Sequence, residues 1–176
     1  DGNGAIALPG LTNTHTHAAM SLLRGYADDM ILQDWLSRKI WPLEAHLTPA
    51  DVYWGTRLAC LEMIRTGTVA FNDMYFMMDE AARAVGEAGI RATLCYGFID
   101  LNDTEKREHE IKATEALVTS IKGMQNPRIK PADVSDHEVA GGRVGCGEDL
   151  IAVLGRRRHR LLQEDMLAAA QSVDRN

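Results

Sequence analysis

Cysteine is scarce in this chain. Cys60, Cys95 and Cys146 are scattered and odd in number. None stands in a Cys-x-x-Cys pair, so neither a disulfide framework nor a thiolate zinc site is expected. Such usage fits a reducing cytoplasm. Long apolar runs are also missing. No stretch approaches the length of a bilayer span, and no secretory leader is visible. Surplus positive charge is absent: 19 basic against 25 acidic residues leave a net charge of −6, which argues against a nucleic-acid partner. No Gly-x-Gly-x-x-Gly follows a predicted strand, which disfavours a dinucleotide site. The rest is ordinary for a globular protein. With 45% hydrophobic and 25% charged residues in 176, one domain with a sizeable core is expected.

What is present is an alternation of strand and helix. Leu8 to His17 reads as a short strand entered through the Pro9-Gly10 turn, and Ala18 to Gly25 as a short helical turn. Ile31, Trp35, Leu36 and Ile40 recur at helical spacing, and Pro42 should end or kink that helix. Thr48-Pro49-Ala50-Asp51 is a good helix start, with a capping hydroxyl, proline at the first helical position and an acid three residues on. That helix should run to about Thr66, with Gly67 as its stop. Thr68 to Asp73 reads as a nearly buried strand, Met77 to Ala88 as a helix and Ile90 to Gly97 as a third strand. A charged helix follows from Asn102-Asp103-Thr104 to about Lys122, and Arg128-Ile129-Lys130 looks like the start of a fourth strand. This alternation predicts an α/β fold with a parallel sheet. It does not distinguish a barrel from a doubly wound sheet.

The residues with chemistry concentrate early. His15 and His17 are spaced i and i+2, so a strand presents both to one side. Two neutral imidazoles on one face can chelate one divalent metal. A bare His-x-His is a weak signal, and taken alone it is better explained as two polar residues at a strand end. Asn72 and Asp73 close the second strand, and their simplest role is to hydrogen-bond loop backbone.

Several segments together say more. Leu8 to His17, then Ala18-Ala19-Met20-Ser21-Leu22-Leu23-Arg24-Gly25, Trp35-Leu36, Ile40-Trp41-Pro42-Leu43-Glu44, Leu61 to Thr68 and Phe71 to Phe76 resemble, in order and spacing, the amidohydrolase superfamily. Within it they are most similar to the 5-methylthioadenosine/S-adenosylhomocysteine deaminases. The likeness runs from about Leu8 to about Lys130. It implies the first three or so βα units of a TIM-like (β/α)8 barrel of the metal-dependent hydrolase type. Residues 1–131 would be the N-terminal part of that barrel and 132–176 an unmatched tail.

The resemblance also implies chemistry. His15 and His17 would hold a divalent metal, zinc first, although imidazole also suits iron and nickel. The family adds two histidines and an aspartate from later strands. Glu44 aligns with the glutamate that binds the substrate's ribose hydroxyls; an ionised carboxylate suits a vicinal diol. A solvated glutamate after a proline turn is the plainer alternative. Trp35 could wall the substrate pocket with its flat face, or simply fill the core. Arg107 lies where some members place a substrate arginine, and reads equally well as part of a solvated helix face. The implied reaction is hydrolytic removal of the amino group at C6 of an adenosine-like thioether. A relative acting on guanine or a triazine is the enzymatic alternative, and a ring without ribose would not need Glu44. The other alternative is a non-catalytic piece whose unpaired strand edges associate with a second copy or a partner.

The chain opens Asp1-Gly2-Asn3-Gly4 without Met, as if continuing from something longer. Beyond Pro131 it departs from the family. His137 stands near an expected histidine but among the wrong neighbours, and no role is carried to it. The glycines from Gly141 to Gly147 and the basic run Arg156 to Arg160 match nothing in the family.

Overall fold

The computed structural model describes residues 3–97 and 104–132. These fall in one compact unit. A second unit, Leu101–Asp103 with His137–Asn176, lies outside the described residues. So do the expected helix start at Asn102-Asp103, His137, the glycine-rich stretch and the basic run.

Four strands form one parallel sheet in the order β1-β2-β3-β4: β1 Leu11–Thr16, β2 Thr68–Tyr75, β3 Arg91–Tyr96 and β4 Ile129–Pro131. Helices α3 (Pro49–Arg65), α4 (Met78–Ala88) and α5 (Thr104–Gly123) fill the successive crossovers. A doubly wound sheet reverses its strand order at a switch point. Here the order never reverses among the described strands, which is the arrangement of an arc of a barrel. The central pair runs in unbroken register, from Ala70 opposite Arg91 to Tyr75 opposite Tyr96. The core lies between sheet and helices, with Val52, Cys60, Phe71, Met78, Val85, Leu94 and Ile129 almost wholly enclosed.

Two connections differ from the sequence expectation. β1 ends at Thr16, so His17 stands just beyond the strand rather than in it. Its register against β2 is irregular between Asn13 and Thr16, and a 3-10 helix, Ala18–Leu23, starts at once. Pro42 does not end its helix. A short α1 (Leu32–Trp35) passes into a π turn (Leu36–Ile40), and the helical path continues through Pro42 as α2 (Trp41–Glu44). The wider turn relieves the ring's clash with the preceding carbonyl. Glu44 therefore sits at a helix end, not on an open connection.

The start of α3 is as expected. Thr48 accepts the Asp51 backbone N–H, and the Asp51 side chain accepts the Thr48 N–H, a complete capping box. Gly67 and Gly89 take positive φ where the helices before them stop. Among the described residues, no helix is long and apolar enough to cross a membrane.

Candidate metal centre and substrate pocket

The candidate groups gather at the C-terminal ends of the strands, the end where barrel enzymes place their chemistry. The His15 and His17 rings meet edge to face with centroids 5.1 Å apart. Burial, and then the neighbouring His17, lower the pKa of His15. That favours the neutral ring a metal needs.

β2 orients His17 from two sides. Its Nδ1–H donates to the Met74 carbonyl at 2.6 Å. A carbonyl can only accept, so the proton belongs on Nδ1 and the Nε2 lone pair is left for a metal. Asp73, fully buried, takes the next backbone N–H: Ala18 donates to Asp73 Oδ1 at 2.8 Å. The other oxygen, Oδ2, has no partner among the described residues. Burial pushes this carboxyl up to about 7, against the opposing pull of the Ala18 and Met74 N–H groups. Asn72 donates to the Thr14 carbonyl at 3.2 Å. Both residues lie inside β2, which runs on to Tyr75 rather than closing at Asp73, and bind the backbone beside the histidines.

The donor chemistry fits a divalent metal as far as it goes. There are two imidazoles, one oriented by a carbonyl and one held towards neutrality. Among the described residues, no group of three His, Cys, Asp or Glu side chains comes together. A catalytic zinc takes about three protein ligands plus an open position.

Beside the histidines lies a cavity of about 280 Å³, lined by Trp41, Glu44, Ala45, Leu47, Val52, Tyr75, Phe76 and Met77. Among the described residues, Glu44 is its only charged side chain. The Tyr75 hydroxyl donates to Glu44 Oε1 at 2.7 Å, and the Tyr75 ring lies 6.2 Å from that of His17. Histidine pair, tyrosine and carboxylate are therefore contiguous. Trp35 does not line this cavity; its indole N–H donates to the Ala27 carbonyl at 2.9 Å, and Trp41 supplies the aromatic wall instead. Arg107 lies on α5.

Sequence reasoning passed over Tyr75. The signal was there. Phe71, Asp73 and Tyr75 alternate as the buried positions of β2, and a strand carried two residues past Asp73 would have included it.

The amidohydrolase family model matches residues 6–155. A 5′-deoxyadenosine deaminase from Methanoregula boonei is 80% identical over 132 residues, 75% of this chain and 30% of that protein. Its counterpart from Methanocaldococcus jannaschii is 55% identical over 132 residues, 75% of this chain and 31% of that protein. Among solved structures, a zinc-bound adenosine deaminase from Xanthomonas campestris superposes with a TM-score of 0.58 at 36% identity, covering 70% of this chain and 28% of that one. A zinc-bound atrazine chlorohydrolase from Arthrobacter aurescens, 19% identical, shares the fold with a TM-score of 0.56 over 71% of this chain and 34% of its own. This chain spans about 30% of the length of the curated relatives it matches.

Proposed function

The chain belongs to the amidohydrolase family, and on that premise we propose that it forms the metal- and ribose-binding part of an adenosine-like deaminase. The substrate class is adenosines whose 5′ position carries an apolar group instead of phosphate. 5′-Deoxyadenosine is one such compound and methylthioadenosine another; S-adenosylhomocysteine shares the thioether but carries a charged amino-acid end. The carrying observation is the contiguity of His17, Tyr75 and Glu44 beside a mostly apolar cavity. A carboxylate suits a ribose diol and repels a phosphate. Apolar walls suit a methyl or thioether. The names of the deaminase relatives support the same class. A free guanine or triazine ring has no ribose diol for Glu44 to bind.

His15 and His17 would hold the metal, with zinc favoured by the zinc-bound neighbours. When bound, such a metal would lower the pKa of water to near neutrality, supplying the nucleophile for hydrolysis of the exocyclic C6–N bond. The chain's own residues do the rest of the work seen here. Met74 orients His17, Asp73 fixes the backbone beside it, and Glu44 holds the sugar. A reducing cytoplasm is the compartment this reading favours, in keeping with three scattered cysteines.

The test is a chimera. The matching 132-residue segment of the Methanoregula boonei relative is replaced by that of this chain, and the zinc-loaded protein is assayed by the absorbance change on adenine-to-hypoxanthine conversion. Deamination of 5′-deoxyadenosine, abolished by His17→Ala, is expected. A folded, zinc-containing chimera that deaminates no adenosine would overturn the reading.

A further inference from the structure

We propose that Tyr75 is a positioning residue that presents Glu44 to the substrate's ribose, an inference that rests on the ribose-anchor reading of Glu44. The two groups come from elements of unequal rigidity. Tyr75 closes the buried strand β2 and is 4% exposed. Its carbonyl accepts the Gly97 N–H at 2.8 Å, and its ring lies 5.1 Å from Phe76 and 6.2 Å from His17. Glu44, by contrast, ends a four-residue helix reached through a π turn, and between Leu32 and Glu44 only Ile40 is buried. That segment has little packing of its own to fix a carboxylate. The phenol does so, by donating to Oε1 at 2.7 Å.

The consequence follows from hydrogen-bond capacity. A carboxylate has about four lone-pair sites. The phenol occupies one of them and leaves Oε2 free to accept from a vicinal diol. The phenolic oxygen can itself accept a further hydroxyl. A phenol is protonated at neutral pH, so it remains a donor. Because Tyr75 also flanks His17, it sets the ribose anchor at a constant distance from the metal ligands.

Kinetics of the chimera decide this. Tyr75→Phe keeps the ring and removes only the donor. It should raise KM for 5′-deoxyadenosine roughly 2- to 10-fold, the worth of one hydrogen bond, with kcat little changed. KM for a ribose-free aminopurine should not move. Glu44→Gln should raise the nucleoside KM more, by roughly 10- to 150-fold. The double variant should bind no more weakly than Glu44→Gln alone, because a misplaced glutamine has nothing left to lose. Equal losses on nucleoside and free base in Tyr75→Phe, or additive losses in the double variant, would overturn the proposal and make Tyr75 a pocket wall. If Glu44→Gln itself fails to discriminate ribose from free base, the ribose-anchor reading falls instead.

Discussion

His17 is held from β2: its own Nδ1–H reaches the Met74 carbonyl, and the N–H of the next residue reaches the Asp73 carboxylate. This preorganisation makes the histidine pair the part of the site most open to test. Zinc content of the purified chain, measured by mass spectrometry, should fall when His15→Ala and His17→Ala are combined. Equal zinc in both proteins would show that the pair is not a metal site. Glu44→Gln in the chimera should weaken nucleoside binding by about 1.5–3 kcal/mol, the range for a hydrogen bond to a charged group. Spacing and flanking residues single out the histidines and Glu44 in the sequence, and the structure brings them to one end of the sheet. The two readings of Trp35 could not be separated in the sequence, because helical spacing states which side a residue occupies, not what lies opposite. The π turn between Trp35 and Trp41 gives the cavity wall to the second of them.

Helix α3 shows how much of an element is written locally. Its capping box was evident from Thr48, Pro49 and Asp51, and the structure contains it. Thr48→Ala should cost about 1 kcal/mol of stability in chemical denaturation, the usual worth of an N-cap. The Asp51 carboxyl is held below its ordinary value of 3.8 by the Thr48 hydroxyl and then the Thr48 N–H. Its folded pKa is depressed, so its contribution is present above pH 3.8 and is lost as pH falls below that value. Asp51→Asn should flatten the acid limb of the stability curve there, and an unchanged limb would rule this out. Other demands on α3 come from outside it. A Cβ on Gly55 would fall on the Ala19 carbonyl oxygen, far inside contact distance. Gly55→Ala must therefore push the 3-10 turn that follows His17, with a destabilisation of about 1–3 kcal/mol and a loss of zinc in the same preparations. Retained zinc at wild-type stability would mean that the turn yields freely.

On the scale of the whole molecule, the described residues form an open four-stranded arc, with exposed Trp54, Leu58, Leu61 and Ile64 along α3. They bring two histidines together and no third ligand. The 176-residue chain, supplied with zinc and 5′-deoxyadenosine, should therefore show no useful turnover, since catalytic zinc takes about three ligands and proton shuttling is typically worth a factor of ~10²–10⁴. The absorbance assay checks this directly. Turnover abolished by His17→Ala would show that residues beyond 132, where His137, Glu138, Asp149 and His159 stand, complete the site.

The linear sequence contained the alternation of strand and helix, the caps and the glycine stops, and it marked the His15–His17 spacing and Glu44 as candidates. These depend on periodicity and on neighbours within a few residues, which a linear reading contains. Its resemblance to the amidohydrolase superfamily was legible for the same reason, being carried by short segments in order. The sequential strand order, the turn of the chain at His17 and the contact of Tyr75 with Glu44 came from the folded chain. Those contacts join residues 31 to 57 positions apart. Local propensity says nothing about which distant group will meet a hydroxyl, a carboxylate or a ring nitrogen once the sheet has formed.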